Sequence, residues 1–468
     1  MRRAIMSSLF YERKNGFDNI TEEEKAKVFS FCEDYRKFIT DYKTEREFAK
    51  GSVEVLEKAG FKELSKFDSL KAGDKVYYVN RGKGIFAAVI GEKPITEGVN
   101  LVGAHIDSPR IDLKPNPLYE DSGIALFKTH YYGGIKKYQW TTIPLSLHGV
   151  VVKPGGETVE INVGDSPSDP VFTISDILPH LAQDQMKKTL GEAFTGENLN
   201  VILGNIASQD EDVTEKVKAN ILKILNDKYG IEEIDFVTSE LEFVPAFEAR
   251  DLGFDRSMIA GYGQDDRVCG YPALMAVANC EKPERTAIAL LVDKEEIGSM
   301  GNTGMQSKHF ENVLGKLISL SVGNYNDLML RECLTNSICL SADVGVALDP
   351  SYPEVSEKKN SAILNGGLLL NKYTGARGKS GASDANAEFV AEVVDIFNKN
   401  DVKWQIAELG RVDLGGGGTI AQFVANLDME VIDCGVPILS MHSPYEVTGK
   451  FDIYMAYKGY LGFMNAGR

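Results

Sequence analysis

The sequence predicts an α/β protein with a mixed, largely parallel sheet sandwiched by helices, into which a mainly β domain is inserted. Apolar strand-like runs alternate with helical patterns at both ends of the chain, which implies a sheet covered on both faces. Between them, over residues 111–245, short alternating strands are separated by clusters of Gly, Pro, Ser and Asp. We therefore divide the chain into a first segment over residues 1–110, an insertion over residues 111–245 and a second segment over residues 246–468.

The first segment is predicted to contain two helices followed by strands. A capping box starts each helix, at Thr21 and at Thr44, and Gly60 ends the second helix. Strands are expected over residues 75–79 and 85–90, joined as a hairpin, and over residues 99–104, just before His105.

In the inserted region, residues 111–245, the alternation predicts strands over residues 149–153 and 158–163. In the second segment, apolar runs predict strands over residues 286–292, 338–342, 404–407 and 431–433. The clearest helix covers residues 384–398, where Phe389, Val393 and Phe397 share one side.

Composition excludes several classes of protein. The 468 residues include 51 Lys and Arg against 68 Asp and Glu, a formal charge of −17, which argues against nucleic acid or an anionic membrane as a partner. No uncharged stretch is apolar enough to span a bilayer, and the start of the chain has no secretory signal. The 6 cysteines lack metal-site or disulfide spacing. We therefore expect a soluble, cytoplasmic protein with reduced thiols.

Polar side chains recur where the predicted strands end. Ligands of open α/β sheets bind at the carboxyl ends of the strands. Each motif alone is weak evidence, because a His-x-Asp strand end, a Glu-Glu pair or an Asp-Asp helix start is common without function. Together they supply two histidines and several carboxylates, namely His105, Asp107, Asp265, Glu295, Glu296, Asp343 and His442.

These residue types suit a hydrolytic metal site. His and carboxylate groups bind zinc, and two metals held about 3.5–4 Å apart need a bridging carboxylate. Residues two apart in a strand point the same way, so Asp107 is expected to accept the second ring N–H of His105 and fix its tautomer. Glu295 and Glu296 follow a buried strand directly and would repel each other unless a cation lay between them.

Five segments resemble, in order, the motifs of the aspartyl aminopeptidase family of dinuclear zinc exopeptidases, and the resemblance covers nearly the whole chain. They are Gly103-Ala104-His105-Ile106-Asp107-Ser108-Pro109, Asp265-Asp266-Arg267, Asp293-Lys294-Glu295-Glu296-Ile297-Gly298-Ser299, Ser341-Ala342-Asp343 and Met441-His442-Ser443.

The resemblance implies a zinc exopeptidase-like fold and a metallo-aminopeptidase that removes N-terminal residues from short peptides. It implies two divalent ions per subunit, expected to be Zn²⁺, with Co²⁺ or Mn²⁺ as alternatives. Asp265 would bridge the two ions, His105 and Asp343 would complete one site, and Glu296 and His442 would complete the other.

By the same resemblance, Glu295 would be the general base, and Asp107 would orient the metal ligand His105. The two outer segments would form the catalytic domain, and the inserted region would pair subunits into dimers that assemble into a dodecamer. A histidine lent across the dimer is a further feature of the family. His180 lies in the matching region, with Asp184 as the alternative occupant of the aligned position.

Two positions depart from the acid-selective members of the family. Val346 stands where they carry a histidine, and Leu370 aligns with a lysine that receives the acidic side chain of the substrate. Lys372 lies two residues further along and is a possible substitute. Preference for N-terminal Asp or Glu is therefore open.

Other classes fit less well. Gly378-Lys379-Ser380 ends like a P-loop, but Tyr373 occupies the position of its first glycine. Residues 415–418 are four glycines without the last glycine of G-x-G-x-x-G, and we expect a turn close to substrate or metal. The alternatives that remain are another dinuclear metallohydrolase, such as an N-acyl amino acid deacylase, and a non-catalytic scaffold.

Overall fold

The computed structural model of the chain describes residues 9–468, so the prediction about the start of the chain lies partly outside the described residues. The described part has a mixed α/β fold with three sheets. Its α-helices are α1 (Glu22–Asp41), α2 (Glu45–Lys58), α3 (Leu190–Ala193), α4 (Lys216–Tyr229), α5 (Gln264–Asn279), α6 (His309–Val322), α7 (Asp327–Asn336), α8 (Ala387–Lys399), α9 (Ala421–Ala425) and α10 (Lys450–Met464).

Helix starts follow the predicted caps closely at the first two helices. At Thr44 both bonds of the capping box form with Glu47, and at Thr21 the side chain accepts the Glu24 N–H at 3.1 Å. The helix predicted over residues 384–398 begins later, at Ala387. The reason is that the Ala385 N–H donates to the carbonyl of Lys372 at 2.9 Å, which keeps that segment out of the helix.

The first sheet has nine strands, in which parallel and antiparallel pairs are mixed. In spatial order they are β1 (Lys62–Glu63), β2 (Lys75–Val79), β3 (Ile85–Val89), β14 (Thr286–Val292), β4 (Val99–His105), β15 (Ile338–Ser341), β19 (Glu430–Gly435), β17 (Leu368–Asn371) and β18 (Trp404–Ile406). Its centre, β14, β4, β15 and β19, is parallel throughout.

Helices pack on both faces of this sheet because its central strands are apolar on both sides. Val102 and Ala104 of β4 join an apolar cluster with α1, α2, α5, α8 and α10. Val99 and Leu101 of the same strand join a second cluster with α6, α7 and α9.

The second sheet has seven strands that lie between residues 110 and 245. In spatial order they are β8 (Thr158–Val163), β7 (Leu145–Val152), β11 (Ser239–Pro245), β5 (Arg110–Asp121), β6 (Ile124–Tyr132), β10 (Val201–Gly204) and β9 (Thr173–Ile174). It has its own apolar cluster, which includes Trp140, Phe127 and Phe243. The strand predicted over residues 149–153 is the second half of the longer β7, which starts at Leu145.

A third sheet of five short strands has no counterpart in the sequence analysis, because runs of two to four residues are too short to show a periodic pattern. The strands are β12 (Arg250–Leu252), β13 (Met258–Gly261), β21 (Glu446–Gly449), β20 (Pro437–Leu439) and β16 (Gly345–Val346). Within residues 9–468, no helix combines the length and the apolar character needed to cross a membrane.

Candidate metal centre

Three neighbouring parallel strands bring several of the predicted site residues to one edge of the first sheet. His105 ends β4, and Glu295 and Glu296 follow β14 in a short 3-10 helix. Asp343 comes two residues after β15, which pairs with β4 on its other side. Because the carboxyl ends of parallel strands meet at the same edge, these side chains converge.

Asp265 lies at the centre of the group. It stands at the start of α5, where its backbone is not yet helical. Its Oδ1 lies 3.2 Å from Nε2 of His105, and its Oδ2 lies 3.2 Å from Nε2 of His442. One carboxylate therefore faces a different histidine with each of its oxygens.

The remaining predicted ligands divide between these two sides. Nε2 of His105 lies 4.0 Å from Oδ1 of Asp343, and Nε2 of His442 lies 3.6 Å from Oε2 of Glu296. The His105 side chain is 2% exposed and that of His442 is 35% exposed. The centre therefore opens to solvent on the side of His442.

In both histidines Nδ1 is hydrogen-bonded to a backbone carbonyl oxygen, and Nε2 faces the centre. Nδ1 of His105 is 3.0 Å from the carbonyl oxygen of Asp107 and 3.3 Å from its Oδ1. Nδ1 of His442 is 2.8 Å from the carbonyl oxygen of Gly134. The predicted pairing of His105 with Asp107 has a different cause from the one expected, since β4 ends at His105 and Asp107 lies beyond the strand.

The buried carboxylate of Asp107 also holds the segment that carries the two glutamates. Its Oδ1 accepts the backbone N–H of Glu295 at 3.1 Å, and its Oδ2 accepts the backbone N–H of Glu296 at 3.2 Å. Oδ2 accepts a further hydrogen bond from the hydroxyl of Tyr132 at 2.8 Å. Sequence reasoning missed Tyr132, because a tyrosine at the end of β6 carries no recognisable signal.

Glu446 is a second residue that the sequence analysis missed. It is fully buried at the start of β21, and its two oxygens accept the backbone N–H groups of Asp265 at 3.0 Å and of His442 at 2.7 Å. A glutamate within four residues of a predicted ligand was the only signal in the sequence.

Burial and like charge dominate the electrostatics of the carboxylates. Burial, followed by the negative charges of Asp265 and Asp107, raises the pKa of Glu295 to about 7. The same causes raise the pKa of Glu296 well above its usual value, and burial and neighbouring Asp266 do so for Asp343. A cluster of carboxylates held this way favours a cation among them.

The pKa values of both histidines are raised, although burial alone would lower them. Burial alone would lower the pKa of His442, but the hydrogen bond to Asp265 and the charge of Glu296 raise it to about 10. The pKa of His105 is likewise raised despite its burial, by Asp107 and Asp265. The pKa of Asp265 is lowered by both histidines, although its burial acts the other way.

The donor set fits zinc, whose usual protein ligands are His nitrogens and carboxylate oxygens. Ligand atoms lie within 4.8 Å of one another in two groups, which are His105, Asp265 and Glu296, and His105, Asp266 and Asp343. Within residues 9–468, Oε1 of Glu296 and both carboxylate oxygens of Asp266 are buried without a hydrogen-bond partner. Asp266 was not among the predicted ligands, and its adjacency to Asp265 was the only sequence signal.

The specificity positions lie in different surroundings. Leu370 is buried in the core as part of β17. Val346 is half-buried in β16, and Lys372 is exposed. His180 and Asp184 are both exposed in the inserted region.

The four glycines at residues 415–418 have a structural role at two positions. A Cβ at Gly415 would come within 1.9 Å of the carbonyl oxygen of Leu409, and one at Gly416, with φ +109°, would come within 2.4 Å of the Cα of Ala376. These close neighbours are backbone atoms and not predicted metal ligands, so backbone packing is what requires glycine at these two positions.

Comparison with known proteins agrees with the geometry. Residues 38–464 match the family described as aminopeptidase I zinc metalloprotease (M18). An M18 family aminopeptidase 1 from Clostridium acetobutylicum is 52% identical over 463 residues, which cover 98% of this chain and 99% of the relative. The crystal structure of the M18 aminopeptidase from Thermotoga maritima superposes with a TM-score of 0.94 at 47% identity, covering 97% of this chain and 100% of the other.

A more distant comparison carries the same fold. The crystal structure of aminopeptidase I from Borrelia burgdorferi has a TM-score of 0.83 at 39% identity, covering 97% of this chain and 100% of the other. The family match spans most of the chain, and the relatives are matched over nearly their full length. The chain therefore belongs to the aminopeptidase I zinc metalloprotease (M18) family and is a zinc-dependent aminopeptidase.

Proposed function

We propose that the chain hydrolyses the first peptide bond of short peptides at a centre of two metal ions bridged by Asp265. The observation that carries this proposal is the position of Asp265 between two histidines, with one carboxylate oxygen 3.2 Å from each Nε2. His105 and Asp343 would bind one ion, and Glu296 and His442 would bind the other. Bound zinc would polarise the scissile carbonyl and lower the pKa of a water molecule.

Glu295 is the general base of the proposed mechanism. Its Oε2 lies 3.9 Å from Nε2 of His105, and its side chain is 17% exposed, so it reaches both the centre and solvent. Its carboxylate would take a proton from the attacking water and pass it to the leaving amine. Asp107 supports this role, because it accepts the backbone N–H of Glu295 and holds the segment in place.

The substrate preference proposed here is for neutral over acidic N-terminal side chains. Acid-selective relatives were expected to carry a lysine and a histidine where this chain has the buried Leu370 and the uncharged Val346. Without a cation at those positions, an acidic side chain would lose solvation with no compensating ion pair. Aminoacyl-amide substrates with apolar, basic and acidic side chains test this, and faster turnover of Asp or Glu substrates would instead favour a role for Lys372.

For the assembly, we propose that the inserted region pairs subunits of a homo-oligomer. The support is a group of exposed apolar side chains in this region, Ile177, Leu178, Leu181 and Met186. His180 and Asp184 lie among them, so either could reach a neighbouring subunit. The structure of a Saccharomyces cerevisiae relative, 22% identical, is that of a dodecamer, and light scattering of this protein would test a closed dodecamer against a dimer.

The test of the mechanism is Glu295→Gln, which keeps the shape of the side chain but removes the base. We expect zinc content and mass to stay at their wild-type values while turnover of aminoacyl-amides falls by about 10²–10⁴-fold. Glu281→Gln is the matched control, because Glu281 is an exposed glutamate in the loop between α5 and β14. Full turnover in Glu295→Gln would refute the role of the base.

A further inference from the structure

We propose that residues 132–134 of the inserted region position the metal centre, with Tyr132 as a positioning residue for Asp107. This inference rests on the proposed function, since it takes His105, Glu296 and His442 as metal ligands. The segment begins at Tyr132, the last residue of β6, which belongs to the second sheet and not to the sheet that carries the centre.

The first contact is a hydrogen bond that crosses between the two sheets. The hydroxyl of Tyr132 donates to Oδ2 of Asp107 at 2.8 Å. That carboxylate also accepts the backbone N–H groups of Glu295 and Glu296 and approaches Nδ1 of His105. Tyr132 therefore orients a side chain that contacts both the first histidine and the backbone of the two glutamates.

The ring of Tyr132 is itself held by a buried arginine. The guanidinium of Arg110 lies 3.9 Å from the centre of the ring, a cation–π contact. Arg110 is anchored by the carboxylates of Glu45 at 3.2 Å and Asp112 at 2.8 Å, and also pairs with Glu242. Because Glu45 lies on α2 and the other two acids lie in the second sheet, the arginine joins both parts of the chain beneath the tyrosine ring.

The next two residues contact the other side of the centre. The carbonyl of Gly134 accepts a hydrogen bond from Nδ1 of His442 at 2.8 Å, which leaves Nε2 facing Asp265. Gly133 has a φ of +75°, and a Cβ there would lie 3.2 Å from Oε2 of Glu296. Tyr132 and Gly134 thus form hydrogen bonds with Asp107 and His442, and Gly133 between them leaves room for Glu296.

Residues that form hydrogen bonds with metal ligands, without binding the metal themselves, contribute to metal affinity. Loss of such a partner typically reduces metal affinity or activity about 10–100-fold, because the ligand becomes free to rotate and its basicity changes. The inserted region would therefore supply more than a surface between subunits. It would complete the hydrogen bonding of ligands that lie on a different sheet.

Tyr132→Phe tests the inference, because it keeps the ring over Arg110 and removes only the hydroxyl. We expect zinc affinity, measured by competition with a chromophoric chelator, and kcat to fall by about 10–100-fold. KM should change little, and the visible spectrum of the Co²⁺-substituted protein should shift. Tyr131→Phe removes the same atom from the neighbouring, exposed tyrosine and should match wild type.

Gly133→Ala tests the same inference without changing the tyrosine hydroxyl. The new methyl group would push on Glu296 and weaken zinc binding. Gly123→Ala is a matched control, since Gly123 has a φ of +74° and no atom within 4 Å of the added Cβ, so it carries the same backbone strain without the contact. Thermal unfolding of the zinc-free proteins shows whether either variant merely destabilises the fold.

The outcomes separate this inference from the proposed function. If Tyr132→Phe and Gly133→Ala bind zinc and turn over like their controls while Asp107→Asn and His105→Ala lose zinc, the positioning role is wrong and the site assignment stands. If Asp107→Asn and His105→Ala also bind two zinc ions normally, the proposed function itself fails. Reduced zinc affinity and a shifted Co²⁺ spectrum confined to Tyr132→Phe and Gly133→Ala, relative to their controls, support the inference.

Discussion

The buried carboxylate of Glu446 accepts the backbone N–H of His442 at 2.7 Å. Its other oxygen accepts the backbone N–H of Asp265 at 3.0 Å. One side chain in the third sheet therefore holds two segments that carry proposed ligands, and it does so through their backbones. Substitution of Glu446 is therefore expected to affect the centre, although Glu446 is not one of the proposed ligands.

We expect Glu446→Gln to weaken zinc binding at both proposed positions. A carboxamide offers one acceptor and one NH₂ group, so one of the two backbone N–H groups would face a donor and lose about 1–3 kcal/mol of hydrogen bonding. Chelator competition on the purified variant measures the effect, with Glu281→Gln as control. Zinc affinity equal to that of wild type would contradict the bridging role of Glu446.

Asp265→Ala should reduce metal occupancy at both sites and not at one. The reason is that each oxygen of Asp265 faces a different histidine, so its loss removes a ligand from each ion. Elemental analysis after dialysis against a buffer with low zinc gives the stoichiometry. Two tightly bound zinc ions in the variant would exclude a bridging carboxylate.

Removal of metal should lower the thermal stability of the protein as well as its activity. Zinc that binds only the folded chain stabilises it by mass action, by about 4 kcal/mol at a concentration a thousandfold above its dissociation constant. Melting curves with zinc and with chelator should therefore differ for wild type and equally for Glu295→Gln, which keeps all ligands. The difference should shrink in Asp265→Ala, and a full zinc-induced shift there would contradict the ligand set.

A pH dependence of stability is expected from His148, which is not one of the proposed metal ligands. This buried histidine lies with Nδ1 2.8 Å from Oε1 of Glu47 on α2 and with Nε2 3.3 Å from Oδ2 of Asp165 in the second sheet region. Burial alone would lower the pKa of His148, but its bonds to Asp165 and Glu47 raise it. Burial would raise the pKa of Asp165 and of Glu47, but the bonds to His148 lower both.

The sign of the effect follows from these directions. His148 makes its full contribution to the free energy of unfolding below its pKa in the unfolded chain, about 6.5. This contribution is lost as the pH rises through its raised pKa in the folded protein. Glu47 and Asp165 make their full contributions above their pKa values in the unfolded chain, about 4. These contributions are lost as the pH falls through their lowered pKa values in the folded protein. The three contributions coincide between about pH 4.5 and 6.5.

His148→Gln should therefore lower the free energy of unfolding of the zinc-free protein by about 1–3 kcal/mol at about pH 6. The loss should be smaller at about pH 9. Melting temperatures of wild type and variant, both in chelator, are compared at the two pH values so that metal loss does not contribute. A difference in melting temperature between wild type and variant that grows toward alkaline pH would contradict the raised pKa of His148.

Several strands of the first two sheets could be predicted from local patterns. The strands β2, β8 and β14 have the predicted bounds of 75–79, 158–163 and 286–292, because each is either alternating or continuously apolar between clear turns. The third sheet could not be predicted, since β16 has two residues and β20 has three. Its strands exist because they pair with partners that are distant in the chain.

The same division applies to the metal centre. His105, Glu296 and Asp343 could be selected from the sequence because they are polar residues directly after apolar strands, where chemistry in an α/β sheet gathers. Tyr132 and Glu446 could not, because a phenol or a carboxylate at a strand end has no meaning until its partner is known. The four-glycine segment was expected to lie close to substrate or metal, and the structure adds that close backbone packing requires glycine at two of its positions.

The sequence by itself determined the α/β class, the position of the change in pattern near residues 111–245, the family and the residue types of the site. These are properties of local order along the chain, and short-range periodicity and motif spacing carry them. Only the tertiary structure decided which oxygen of Asp265 faces which histidine, and that Tyr132 of one sheet holds Asp107 beside another. Such contacts depend on how separately formed sheets pack together, and that packing is the sum of many buried side chains far apart in sequence.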